Sequence, residues 1–150
     1  EVFGAAEQAL GLAGERMAEF KESAEFLSSK KFTKNSVVTY IADLFQPELI
    51  EAQKEIETMT ETRAIATRQS MVDEFKRVPS MVHQAIEEQP GAHLKSSKGT
   101  WWGAMNAVTF VVDHKWGHDR DASLHNAWFG NRAALKQKAM NKAIEYAEAA

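Results

Sequence analysis

The sequence predicts an all-α fold, an irregular bundle of five or six helices with a long N-terminal helix. Apolar residues recur at spacings of three and four along almost the whole chain, which is the helical period. No Asn-Gly or Asp-Gly pair and no sustained alternating pattern indicates a hairpin or a strand. With 150 residues and no cysteine, the chain is long enough to bury one core without disulfides, so we expect residues 1–150 to form a single domain.

A heptad repeat predicts the N-terminal helix. Its apolar positions alternate steps of three and four residues, which keeps one stripe facing a partner helix, and they are Phe3, Ala6, Leu10, Ala13, Met17, Phe20, Ala24 and Leu27. The stripe can pack against helices of the same domain or against a second copy of the chain. Self-association through this helix is therefore one candidate interaction.

Capping residues and prolines divide the middle of the chain into helices. The Thr33 hydroxyl is predicted to cap a second helix that ends near Phe45, ahead of Pro47. Residues 48–62 are charged and thinly apolar, which predicts either a marginal helix or a mobile excursion. We expect a third helix over residues 62–78 and a fourth over residues 80–88, with Pro79 between them.

Turn-forming residues then introduce the last two helices. Residues 90–99 contain proline, glycine and serine and predict a loop. Thr100 is predicted to cap a fifth helix from Trp101 to about His114. After an irregular stretch, Asn131 can cap a final helix whose inward positions are Leu135, Ala139, Met140, Ala143, Ile144 and Ala147.

The fifth helix carries a polar network, Asn106, Thr109, Asp113 and His114. Buried polar groups need hydrogen-bond partners, so we expect these side chains to hold the bend at residues 128–130 or to cap the final helix. A binding role and catalysis by an Asp–His pair are the alternatives. No residue is assigned as catalytic.

A metal site is a weaker candidate in the same region. His114, His118 and His125 are nitrogen ligands interspersed with aspartates, a set that zinc, nickel or iron accepts. Gly117 argues against a continuous helix that would place two of these imidazoles on one side. We predict no resident metal and no cofactor.

Charge and tryptophan content favour a nucleic-acid partner for the C-terminal third. Residues 1–94 have a net charge of −6, whereas residues 95–150 have a net charge of +3 and contain all four tryptophans. Aromatic rings interleaved with cations are typical of proteins that bind single strands. The candidate contacts are Lys95, Lys98, Trp101, Lys115, Trp116, Arg120, Arg132 and Lys136, with Trp101 and Trp116 expected to be exposed. The longest uncharged run is too short to span a bilayer, so no membrane partner is predicted.

Several spaced motifs extend through this third: Gly99-Thr100-x-Trp102-x-Ala104-x-Asn106-Ala107-Val108-Thr109, Val112-Asp113-His114, Arg120, Ala127-Trp128-Phe129-Gly130 and Ala134-Leu135-Lys136. They resemble the C-terminal signature of the phage/plasmid-like protein family, catalogued as domain of unknown function 932. Residues 9–16 and the helix after Phe32 resemble the middle of that family. The resemblance implies either the C-terminal half of a longer mobile-element protein or a shortened relative, located in the cytoplasm of a bacterial host and involved in DNA metabolism. It implies no catalytic residue.

We therefore expect a non-enzymatic module of a phage or plasmid protein that supports assembly or handles nucleic acid through its basic, tryptophan-rich C-terminal third. The alternative hypothesis is a metal- or His-dependent enzyme centred on Asp113, His114 and His118.

Overall fold

The structure, a computed structural model, describes residues 18–114 and 132–149 and confirms the all-α prediction. Within these two ranges, the only β-type pairing is an isolated bridge between Lys31 and Thr100. Residues 18–29 form helix α1. The other helices, numbered in chain order, are α2 (Lys34–Glu57), α3 (Thr62–Phe75), α4 (Val78–Glu88), α5 (Trp101–His114) and α6 (Arg132–Ala149).

The start of α2 is determined by its capping residue. The Thr33 side chain accepts a hydrogen bond from the Ser36 backbone N–H (3.1 Å), and the Ser36 hydroxyl accepts one from the Thr33 N–H (2.8 Å). Two N–H groups that a helix start would leave without partners are thereby satisfied. The predicted cap is confirmed.

The predicted end of this helix at Phe45 is wrong, because α2 continues through Pro47 to Glu57. Proline cannot donate the backbone hydrogen bond to the carbonyl four residues earlier, here that of Asp43. The second half of α2 compensates by burying Ala52 and Ile56 in the core. Residues 48–57 are therefore helical, in agreement with the first of the two alternatives for this segment.

The junction of α3 and α4 also differs from the prediction. Helix α3 ends at Phe75 and α4 begins at Val78, so Pro79 lies inside the first turn of α4 rather than between the helices. Proline is tolerated there because N–H groups of the first turn have no helical partner. Phe75 and Val78 are both buried, and the Phe75 ring packs edge-on against Phe45 at 5.7 Å between centroids.

Helix α5 is the central helix of the described bundle and has the predicted bounds. Thr100 caps it as expected, since its hydroxyl accepts a hydrogen bond from the Gly103 N–H at 3.2 Å. Eight of its 14 residues are buried, and it packs against both α4 and α6. Among the described residues, those of α5 that are not buried are Trp102, Asn106, Thr109, Phe110, Asp113 and His114.

Trp101 lies in an aromatic cluster at the start of α5. Its ring centroid is 5.2 Å from that of Tyr40, 5.4 Å from that of Tyr146 and 6.0 Å from that of Phe32. Trp101 is only 1% exposed. The prediction that it is exposed and available to nucleic acid is therefore wrong, because burial of its large ring joins α2, α5 and α6.

Helix α6 packs with its predicted apolar stripe inward. Leu135, Ala139 and Ala143 are buried, and Met140 and Ile144 pack against the core at partial exposure. The buried Tyr40 hydroxyl donates a hydrogen bond to the Ala139 carbonyl at 2.9 Å. Hydrogen bonding of this kind joins α2 to α6 in the interior.

A second tyrosine joins the same two helices nearer the surface. The Tyr146 hydroxyl donates to the Asp43 carboxylate. Burial raises the pKa of Tyr146 to about 12, and the hydrogen bond to Asp43 contributes to the same shift.

The heptad stripe of the N-terminal helix is described only from α1 onward. Leu27 is buried in the core, whereas Phe20 is 54% exposed and contacts the Trp102 ring edge-on at 5.8 Å. The residues from Phe3 to Met17 lie outside the described ranges, so self-association stays a prediction. Neither described range contains a helix long and apolar enough to cross a lipid bilayer.

Candidate functional site

Hydrogen bonds join the loop of residues 90–99 to the segments on either side of it. Gly91 and Gly99 have positive φ angles of 88° and 73°, which residues with side chains rarely adopt. The Thr100 hydroxyl donates to the Ser96 carbonyl at 2.6 Å, and the Phe32 N–H donates to the Gly99 carbonyl at 3.0 Å. This loop is therefore attached to both the α1–α2 connection and the start of α5.

Gly103 allows the loop to pack directly on α5. A Cβ atom at this position would lie 1.9 Å from the Ser97 carbonyl oxygen and 2.8 Å from the Ser97 carbonyl carbon. The buried Gln89 side chain adds a hydrogen bond to the Gly103 carbonyl at 3.2 Å. The sequence pattern did not single out Gln89, Ser97 or Gly103 as site residues. The signal that could have found the contact is an interior glycine in a largely apolar helix. Such a glycine costs about 1 kcal/mol relative to alanine, so its presence indicates that another backbone packs closely against it.

A cleft of about 320 Å³ separates the loop from the polar stripe of α5. We call it the α5 cleft. The loop contributes Gly91, Leu94, Ser96 and Ser97 to one wall, and the other wall consists of Trp102, Asn106, Thr109, Phe110, Asp113 and His114. From Trp102 to Asp113 the helix rises about 16 Å, so the cleft is an elongated groove along α5.

All four residues of the predicted polar network line the α5 cleft. The Thr109 hydroxyl donates to the Asn106 backbone carbonyl at 3.0 Å, and Asp113 forms an ion pair with Lys136 at 3.1 Å. The ring of the exposed His114 lies 5.1 Å from that of Phe110. The ion pair joins the end of α5 to α6. The bend at residues 128–130, which we expected these side chains to hold, lies outside the described ranges, and a structural role for the whole network stays a prediction.

Lysines of the C-terminal third fall into two groups. Lys95 and Lys98 are exposed on the loop of residues 90–99. In contrast, Lys136 pairs with Asp113, and Lys138 lies 3.8 Å from the Glu48 carboxylate. The charge of these two α6 lysines is therefore largely balanced locally, whereas the loop lysines form no ion pair with another residue of 18–114 or 132–149.

The other predicted contacts are not among the side chains that the structure describes. Lys115, Trp116 and Arg120 lie outside the described ranges, and of Arg132 only the backbone is described. Trp102 is partly buried against the core and also lines the α5 cleft.

Metal ligands do not cluster in residues 18–114 and 132–149, where no group of three His, Asp or Glu side chains could hold an ion. His114 is described, whereas His118 and His125 are not. The histidine site therefore stays a hypothesis from the sequence.

Comparisons with known proteins give a family and no activity. No curated protein and no solved structure matches the chain. One family model, described as "Domain of unknown function (DUF932)", matches residues 1–144. Because that match covers nearly all of its 150 residues, the chain belongs to this family.

Proposed function

We propose that this domain is a non-enzymatic module that supports the DNA metabolism of a phage or plasmid by binding single-stranded nucleic acid in the α5 cleft. The observation that carries the proposal is the position of two exposed lysines, Lys95 and Lys98, on the loop that forms one wall of a groove lined by hydrogen-bonding side chains and the Trp102 ring. Cations attract the phosphate backbone, and aromatic and polar side chains contact the bases.

The setting of α5 favours a single strand over a duplex. A helix that reads a duplex must enter the major groove, with one face free along several turns. Most of α5 is buried between α4 and α6, and the loop of residues 90–99 covers part of the rest. A flexible single strand can reach the bottom of such a groove, whereas a duplex cannot.

The experiment is a tryptophan fluorescence titration of the chain with a single-stranded oligonucleotide of mixed sequence. We expect quenching and an affinity that falls as salt rises. The double variant Lys95→Ala/Lys98→Ala should bind more weakly and lower the slope of log K against log salt by about 1.4, since each cation on a single strand contributes about 0.7.

The matched control is Lys54→Ala/Lys76→Ala, which removes the same charge from two exposed lysines outside the loop of residues 90–99. We expect it to keep the native salt slope to within a few tenths. A flat titration of the native chain would refute nucleic-acid binding. An equal loss in both double variants would show that net charge, and not the cleft, accounts for the affinity.

A further variant tests whether the oligonucleotide binds in the α5 cleft. Trp102→Phe should reduce the quenching while a labelled oligonucleotide still reports binding by anisotropy, because Trp102 lines the cleft. Full quenching in this variant would contradict binding in the cleft.

A further inference from the structure

We propose that Asn106 is a base-recognition residue, whose amide hydrogen-bonds to the edge of an unpaired base in the α5 cleft, with adenine preferred. This inference rests on the proposed function. The inference assigns base preference to the Asn106 side chain, whereas the lysines of the loop contribute affinity that does not depend on sequence.

The hydrogen bonding around Asn106 is the first argument. Near it, the Gln89 amide donates to the Gly103 carbonyl, the Thr109 hydroxyl donates to the Asn106 backbone, and Asp113 pairs with Lys136. The side-chain amide of Asn106 makes no hydrogen bond within the described part of the chain. Half-buried amides normally find partners, and this one offers two donors and an acceptor to whatever occupies the cleft.

The position of Asn106 on α5 is the second argument. It lies one turn after Trp102 and one turn before Thr109, and all three side chains line the same wall. An amide presents a donor and an acceptor side by side, which matches the N6 amino group and N7 of adenine. The neighbouring Trp102 ring offers an apolar surface on which the base can stack. Proteins recognise unpaired nucleotides by combining such stacking with hydrogen bonds to the edge of the base.

The third argument is the separation of the two kinds of contact. Lys95 and Lys98 are exposed on the loop whose residues Ser96 and Ser97 belong to the other wall of the cleft. A strand between the two walls can place its phosphates toward the lysines and a base toward the helix. Affinity and base preference are then changed by different substitutions.

The test compares binding of labelled oligonucleotides of equal length, oligo-dA, oligo-dT and oligo-dC, to the full chain by fluorescence anisotropy. We expect the native chain to bind oligo-dA about tenfold more tightly, the size of one bidentate amide–base contact. Asn106→Ala should remove this preference by weakening the binding of oligo-dA more than that of oligo-dT. The matched control, Asn141→Ala, removes an exposed asparagine amide from α6 and should keep the preference.

Thermal unfolding separates recognition from a structural role. If Asn106 holds the fold, Asn106→Ala will lower the melting temperature. If its amide is reserved for a ligand, alanine will leave the melting temperature unchanged or raise it, because alanine is the better helix former.

The outcomes distinguish this inference from the proposed function. Equal binding of all oligonucleotides by the native chain, with loss of binding in Lys95→Ala/Lys98→Ala, would overturn base recognition and leave the proposed function standing. A lower melting temperature of Asn106→Ala would also overturn it. No binding of any oligonucleotide would refute the proposed function and the inference together.

Discussion

For Gly103→Ala, the structure predicts a loss of folding stability, whereas helix propensity alone predicts a gain. Propensity alone predicts a gain of about 1 kcal/mol, since alanine replaces glycine inside a helix. In the structure, however, the new Cβ would lie 1.9 Å from the Ser97 carbonyl oxygen. Backbone atoms cannot turn aside as a side chain can, so the loop and α5 must separate by roughly 1.5 Å to reach van der Waals contact.

The required separation of the loop from α5 determines how much stability Gly103→Ala costs. Overpacking of this kind costs about 1–3 kcal/mol, and the rigid backbone neighbour places Gly103 at the upper end. Displacement of the loop also weakens the hydrogen bond from Gln89 to the Gly103 carbonyl, which is worth about 1 kcal/mol. After the propensity gain is subtracted, we expect a net loss of about 2–3 kcal/mol, or a melting temperature lower by about 5–10 °C for a chain of this size.

The assay is urea unfolding followed by circular dichroism, with Gly99→Ala as the comparison. Gly99 has a φ of 73°, but a Cβ there would meet nothing within 4 Å, so its substitution carries only the conformational cost of about 1–2 kcal/mol. We expect the lower urea midpoint for Gly103→Ala. A midpoint at or above that of the native chain would refute the close contact between Ser97 and α5.

Three further predictions concern the helices that support the cleft. Pro47→Ala should stabilise the chain by about 1–2 kcal/mol, because it restores a helical hydrogen bond. The greater conformational freedom of the unfolded chain without proline offsets only part of this gain. A lower urea midpoint would contradict an uninterrupted α2. Thr33→Ala should cost about 1 kcal/mol through loss of the cap, while Thr39→Ala, at an exposed position inside the same helix, should be neutral or slightly stabilising in the same assay. The pKa of Tyr146 is raised to about 12 by burial and by Asp43, from an ordinary value of 10.0. The folded state therefore keeps this proton to higher pH than the unfolded chain, and stability should fall as pH rises from about 10 to about 12. Tyr146→Phe should lose less stability across that interval, and an unchanged pH profile would argue against the shift.

Local signals predicted helix starts better than helix ends. Thr33 and Thr100 cap their helices as expected, because capping involves groups only a few residues apart. The ends near Pro47 and Pro79 were misplaced, since the cost of a proline depends on what the following turns bury. Ala52, Ile56 and Val78 are buried by packing against distant helices, which a local pattern does not contain.

Two adjacent tryptophans show that burial at the site also depends on packing against distant helices. Adjacent aromatic residues look alike in a sequence, yet Trp101 is enclosed by Tyr40, Tyr146 and Phe32, and Trp102 lines the α5 cleft. Side chains one residue apart on a helix point about 100° away from each other. Only the arrangement of the neighbouring helices decides which of the two directions is interior.

The amino-acid order by itself determined that this chain is helical, where most helices begin and which face of α6 is buried, because these follow from periodicity and capping over a few residues. Tertiary structure decided that the loop of residues 90–99 lies against Gly103, that Lys136 pairs with Asp113, and that Asn106 opens onto a cleft. Each of these depends on contacts between segments far apart in the chain. Their energies come from close packing and from charge pairs at short range, and such distances exist only after the helices have assembled.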